Sequence, residues 1–308
     1  MVSTLNRLME PITKGYRLYA DSFVRHLRAE NKSERTIKTY LEAIGQLATF
    51  CSEMGMPGNP TMLTREHVES YIGRLLETKS PATASNRYRG LRVFFEWLLE
   101  EDEVSVSPMA KMRPPTVPEE PTPLLDVDEV GNLLAACAGK GFEERRDTAV
   151  IRLLIDTGLR RSELAYLIMD DLDWSENLLR VKGKGGRIRF VPFGRKAARD
   201  LDRYLRVRER HRLADDPALW LGRRGPMTDS GVAQIVSDRA RQAGLGRVHP
   251  HMLRHSFANM WLENEGQEQD LMRIAGWKSR TMLARYGAAR ADDRARLAHR
   301  RLSPGDRV

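Results

Sequence analysis

Two cysteines in 308 residues are too few for a disulfide framework, and neither has the spacing of a zinc ligand. Cys51 and Cys137 each fall inside an apolar helical pattern, which predicts two buried thiols in a reducing cytoplasm. No apolar run approaches the roughly 18 residues that span a bilayer. Met1 to Leu18 carries charges and no continuous apolar stretch, so a secretory signal is not expected. The glycine-lysine segment Gly183-Lys184-Gly185-Gly186 lacks the leading glycine and the Ser or Thr of a Walker A loop, which disfavours nucleotide binding. Met252 follows His251, so the Glu of a His-Glu-x-x-His zinc motif is missing. Neither a metal nor a cofactor is expected. There is no internal repeat and no low-complexity tract.

What is present is a globular, basic chain. Hydrophobic residues make up 41%, which fits packed domains rather than disorder, and the length allows two cores. Lysine and arginine number 51 against 42 acids, a net charge of +9. That balance favours a polyanionic partner such as nucleic acid, although by itself the signal is weak.

The first third reads as helical. Tyr16, Tyr19, Phe23, Val24 and Leu27 recur at helical spacing, and Ile37, Leu41, Ile44, Leu47 and Cys51 do so again behind Ser33, a candidate N-cap. Thr64 is placed to open a third helix with Val68, Tyr71, Ile72 and Leu75. Pro81 is placed at the first turn of a fourth, which carries Leu91, Phe94, Phe95 and Leu98. A small helical bundle over 16–107 is predicted. Residues 108–123 hold Pro108, Pro114, Pro115, Pro118, Pro121 and Pro123, which predicts a stiff extended linker. A second domain over 124–289 opens on a capping-box pair, Asp126 and Glu129. Within it, Gly158 should end a buried helix, and Leu178–Val181 with Ile188–Val191 should form a hairpin. Helices are expected from Arg195 to the end. The fold class is mainly α with a small β-hairpin in the second domain.

The chemistry gathers in that second domain. Pro250 at a helix start puts His251, Arg254 and His255 on one face, at i, i+3 and i+4. A histidine and a forked guanidinium side by side can both hold one phosphate. Arg160 follows the helix end at Gly158, with Glu163 three residues on. Taken singly, each feature has a plain reading. Arg160 with Glu163 can be a structural ion pair, Lys184 a solvated hairpin lysine, Tyr286 a core aromatic, and Arg195, Arg199, Arg203, Arg206 and Arg210 a solvated basic face.

Together these residues resemble the tyrosine recombinase, or phage integrase, family. Thr157-Gly158-Leu159-Arg160-Arg161-Ser162-Glu163-Leu164 matches its first arginine box, Lys184 its hairpin lysine, and His251-Met252-Leu253-Arg254-His255 its His-x-Leu-Arg-His box. Ala275-Gly276-Trp277 stands where the family has Leu-Gly-His, with Tyr286 nine residues further on. Trp at that His position occurs in some members. It keeps a donor, Nε1–H, so phosphate contact or positioning is implied but no acid–base role. Met282 follows Thr281 where the family often has a second threonine.

The resemblance covers nearly the whole chain and implies site-specific DNA recombination by cutting and rejoining through a 3′-phosphotyrosyl link. It implies Tyr286 as nucleophile, Arg160 and Arg254 on the phosphate oxygens, His251 as proton acceptor and Lys184 as acid to the leaving oxygen. Trp277 walls the pocket, with Glu163 and His255 in support. It makes residues 16–107 a core-binding domain, with Thr83, Ser85, Asn86, Arg87, Arg89 and Arg92 as candidates for groove contact, and 124–289 the catalytic half of a clamp around DNA. Implied partners are double-stranded recombination sites, a homotetramer on paired sites, and accessory directionality or DNA-bending factors, in a cytoplasm of bacterial, phage or mobile-element origin. Residues 1–15 look too short for an arm-binding domain, and the basic tail 290–308 resembles segments that dock on a neighbouring subunit. A type IB topoisomerase-like relaxase and a catalytically idle DNA-binding regulator stay open as alternatives.

Overall fold

Local capping explains where the first helices begin. In the computed structural model, which describes residues 14–118, 123–287 and 291–303, the chain divides into two compact units, Met1–Glu120 and Pro121–Val308. The side chains of residues 14, 184, 284–287, 293, 294, 297, 298 and 302 lie outside that description. The first unit holds α1 (Lys14–Ala29), α2 (Glu34–Glu53), α3 (Arg65–Thr78) and α4 (Pro81–Glu100). Ser33 Oγ accepts from the Thr36 N–H at 3.2 Å, and Ser80 Oγ accepts from the Thr83 N–H at 3.3 Å with Pro81 at N1. At the start of α3 the Thr64 N–H donates to His67 Nδ1 at 3.0 Å. Each bond satisfies a donor that a helix start otherwise leaves unpaired.

The apolar stripes read from the sequence meet in one core. Phe23 packs on Phe94 and Trp97, with ring centres 5.4 and 5.2 Å apart, among Leu27, Ile37, Leu41, Ile44 and Leu98. The first four residues of the proline-rich segment depart from the extended linker expected. Pro108 to Lys111 turns, Met109 is buried against the bundle, and the Tyr88 hydroxyl donates to the Met112 carbonyl at 2.8 Å. Burying a methionine outweighs the extended preference of its neighbours there.

The second unit runs α5 (Val127–Ala135), α6 (Phe142–Thr157), α7 (Arg161–Ala165), β1 (Leu172–Asp173), β2 (Leu178–Lys182) and β3 (Ile188–Pro192). It continues with α8 (Arg195–Arg208), α9 (Asp229–Gln242), α10 (Pro250–Glu263), α11 (Glu268–Ala275), α12 (Arg280–Gly287) and α13 (Ala291–Leu302). The three strands are antiparallel in the order β1-β2-β3, with Val181 opposite Arg189 and Leu179 opposite Val191. The pleat turns Leu179, Val181 and Val191 inward. The capping box at α5 forms, with the Glu129 N–H to Asp126 Oδ1 at 2.8 Å and the Asp126 N–H to Glu129 Oε2 at 2.9 Å. Helices α6, α8 and α10 pack around Val150, Leu154, Leu201, Tyr204 and Leu253.

Helices do not run on unbroken from Arg195. Between α8 and α9 the chain is irregular, because buried Arg208 organises it through backbone carbonyls instead. Its guanidinium donates to the carbonyls of Leu219 at 3.1 Å, Ala214 at 2.9 Å, Asp216 at 2.5 Å and Ala218 at 2.7 Å. The basic face of α8 is partly neutralised: Arg199 and Arg203 lie beside the buried Asp200 carboxylate, and Arg206 pairs with Asp202. In α13, Arg301 pairs with Glu265 of the same chain. Among the described residues no helix is long and apolar enough to cross a membrane.

Candidate functional site

The site begins where α6 stops. Gly158 adopts φ +60°, and a Cβ there would stand 2.2 Å from Phe257 Cδ1. Only glycine lets the chain turn left-handed so close to α10. The turn delivers Arg160 to the start of α7, where its N–H donates to Glu163 Oε2 at 2.9 Å and its Nη1 to Glu163 Oε1 at 2.8 Å.

Glu163 is 8% exposed and carries a second guanidinium. Arg189 Nη1 and Nη2 reach its two oxygens at 3.0 and 2.9 Å, a two-pronged pair. Burial raises the Glu163 pKa, but the Arg189 hydrogen bonds, the Arg160 N–H and both positive charges outweigh it, and the net shift is downward. A carboxylate so held stays ionised and fixes both arginines.

Arg254, 1% exposed, sits on α10 with two guanidinium nitrogens bonded to backbone carbonyls. Nη1 donates to the Gly158 carbonyl and Nη2 to the Ala275 carbonyl at 2.8 Å. Its Cζ lies 5.3 Å from the Trp277 ring centre, a cation–π contact. At the head of α10, His249 caps the helix, its Nδ1 accepting from the Met252 N–H at 3.2 Å. Burial and the charge of Arg247 lower the His249 pKa, which keeps its nitrogen an acceptor. His251 is exposed and meets buried His255 edge-to-face, ring centres 4.9 Å apart.

Beside Arg160 opens a cleft of about 760 Å³. Arg187, Arg189, Arg273 and Lys278 surround it, Trp277 walls it, and the hairpin glycines Gly183 and Gly185 edge it. Its described lining has five cationic side chains and no carboxylate, which suits a phosphate diester. Arg160 and Trp277 therefore face the cleft. Arg254 is reached through Trp277 and Gly158, while Glu163 acts from beneath. Lys184 begins the one-turn 3₁₀ segment Lys184–Gly186 of the β2–β3 hairpin, and Tyr286 lies in α12; their side chains are outside the described residues.

Two outcomes were not legible beforehand. Arg189 was missed, although its place in β3, two residues before buried Val191, marked it as an inward-facing charge needing a partner. In the first unit, Ser85 does not reach the surface: it is 5% exposed, with its Oγ accepting from Arg89. Arg87 is tied to Glu42 at 3.1 Å and Gln46 at 2.9 Å, and Arg92 to Glu96 at 2.8 Å. Asn86, Arg89 and Arg92 remain exposed, and Thr83 is half-buried beside the cap of α4.

Comparison with known proteins shows the family. Residues 123–292 match the phage integrase family, and residues 20–103 match the phage integrase N-terminal SAM-like domain. The tyrosine recombinase XerC of Azotobacter vinelandii is 36% identical over 260 residues, covering 82% of this chain and 84% of its own. That of Chromobacterium violaceum is 33% identical over 256 residues, with coverages of 82% and 84%. Among solved structures, XerA recombinase superposes with a TM-score of 0.54 at 26% identity, over 93% of this chain and 98% of that one. A lambda integrase tetramer bound to a Holliday junction shares the fold with a TM-score of 0.71 at 18% identity, over 89% and 77%. On the family match and these relatives, the chain belongs to the phage integrase family of tyrosine recombinases, enzymes of site-specific DNA recombination.

Proposed function

We propose that this recombinase cuts each strand with Tyr286. The phenolic oxygen attacks the phosphorus, the P–O5′ bond breaks, and the 3′ side stays joined to the tyrosine as a phosphodiester while a 5′-hydroxyl leaves. A phenol has a reference pKa near ~10, so attack requires a base and a neutralised phosphate. His251 takes the phenolic proton, and Lys184 gives one to the departing 5′-oxygen. Arg160 and Arg254 neutralise the charge that gathers on the non-bridging oxygens. Trp277 holds one side of the phosphate, while Glu163 and His255 orient their neighbours. Because the ester is conserved, a 5′-hydroxyl from a partner strand reverses the step with no energy source. Asn86, Arg89 and Arg92 are the groove-contact candidates of the first unit.

One observation carries this reading: Arg160 stands at a cationic cleft that is also lined by Trp277, whose ring lies against the Arg254 guanidinium. Lambda integrase forms a tetramer on a Holliday junction, and XerH has been solved after cleavage of a palindromic difH substrate. We extend the same assembly, a homotetramer on paired sites, to this chain. The test is covalent trapping on randomised nicked duplexes, with sequencing of the trapped DNA. The wild-type chain should form an adduct enriched in one site, and Tyr286→Phe should bind that DNA without forming it. Adducts from Tyr286→Phe would refute the nucleophile. Relaxation of any plasmid without site choice would replace recombination by a relaxase activity, and no adduct from the wild-type chain would leave a DNA-binding regulator.

A further inference from the structure

Arg189 joins two parts of the site that the sequence keeps far apart. Its Nη atoms hold Glu163 at 3.0 and 2.9 Å, and its Nε donates to the Ile274 carbonyl at 2.9 Å. The next carbonyl, that of Ala275, accepts from Arg254 at 2.8 Å. Two guanidiniums thus grip consecutive carbonyls at the end of α11, just before the chain turns at Gly276 into Trp277. Gly276 has φ +67°, and a Cβ there would stand 3.1 Å from Arg189 Cζ and Nε. The guanidinium plane lies against bare backbone, and glycine is what admits it.

We infer that Arg189 is a positioning residue for strand cleavage. Through Glu163 it fixes the guanidinium of Arg160, and through Ile274 it fixes the Trp277 turn that leads into α12. One rigid, planar group with three directed bonds therefore sets the phosphate-binding arginine and the tyrosine-bearing helix in register. A lysine supplies the charge but not the fork, so it can neutralise Glu163 without also holding Ile274. Misplacing reacting groups by about 1 Å costs on the order of 100-fold in rate, and that is the loss expected when the fork is removed. The inference rests on Arg160 being the phosphate ligand.

The experiment is a double-mutant cycle on single-turnover adduct formation with nicked DNA, using Arg189→Gln, Arg160→Lys and the pair. Melting temperature and DNA affinity are measured for each. Arg189→Gln should slow adduct formation by about 100-fold while DNA affinity stays within a few-fold. In the Arg160→Lys background it should cost less, because one of the two groups it positions has already lost its fork while the hold on Ile274 is still there to lose. Arg189→Lys, which keeps the charge and guards against simple misfolding, should recover part of the rate. Gly276→Ala should reproduce the Arg189→Gln defect. Additive losses in the cycle, or a loss that follows melting temperature or affinity alone, would overturn the positioning role and leave Arg160 as phosphate ligand. An Arg160→Lys chain that cleaves at the normal rate would instead overturn the reading beneath it.

Discussion

The guanidinium of Arg254 lies 5.3 Å from the centre of the Trp277 ring, at the position where many family members carry histidine. The indole sets a flat ring with no titratable group against a buried charge. It also packs with Phe257, Leu271, Ala275 and Leu283 in a small cluster that seats the start of α12 on α10.

Replacing Trp277 should separate those two roles. Trp277→Ala removes the wall and the packing, and should destabilise the second unit by about 3 kcal/mol, as large-to-small changes at buried aromatics do. Trp277→His should keep adduct formation within about tenfold, the range a cation–π contact is worth. Its rate should acquire one more ionisation, near the ordinary imidazole pKa of about 6.5, on top of the dependence on the catalytic base that both chains share. Single-turnover rates between pH 5.5 and 8 decide it, and matching profiles for the two chains would contradict the assignment.

Gly158→Ala should damage stability and cleavage together. The left-handed backbone and the clash with Phe257 predict a loss of about 3 kcal/mol. The Gly158 carbonyl also holds Arg254, so cleavage should remain depressed at temperatures where the variant is fully folded. Recovery of full activity on cooling would show that the carbonyl does not matter to Arg254.

Glu163 makes the fold sensitive to acid. Its folded pKa lies below the ordinary carboxylate value, so the native state binds the proton less readily than the unfolded chain. The stabilisation is complete above about pH 5 and is lost as pH falls through the folded value. Glu163→Gln should flatten that acid limb and cost about 3 kcal/mol at neutral pH, because Arg189 loses its buried partner. Urea midpoints at neutral and acid pH measure both effects. An unchanged acid limb would place the sensitivity elsewhere.

Leu283 of α12 is buried against α10 of its own chain, so if Tyr286 is the nucleophile as proposed, it is expected to serve the arginines of the same subunit. Mixing Tyr286→Phe with Arg160→Ala should then yield no adduct on nicked DNA, since each chain lacks one half of its site. Restored cleavage in the mixture would mean that the tyrosine is lent to a neighbour.

Much of the molecule was legible because its signals are local. Ser33, Pro81 and the Asp126–Glu129 pair announce helix starts within a single turn, the capping bonds reaching three residues along, and Gly158 announces a helix end by the left-handed turn that glycine allows. The arginine boxes, the hairpin lysine position and the nine-residue step to Tyr286 were readable in the same way, as residue types at fixed offsets. Ser85 misled because a polar residue in a basic helix looks like a contact residue, whereas it is buried with its hydroxyl accepting from the overlying Arg89. The irregular stretch after α8 was read as helical because the pinning of its carbonyls by Arg208 leaves no periodic trace.

The amino-acid order alone settled the helical class and the two cores and named the groups proposed to handle a phosphate, since propensity, capping, hydrophobic period and motif spacing act over a few residues. Only folding decided that Arg189 meets Glu163 across 26 residues and that Arg254 meets Gly158 across 96. Those pairings depend on packing of whole helices and on the strong cost of leaving a buried charge without a partner, and neither is written in any short stretch of chain.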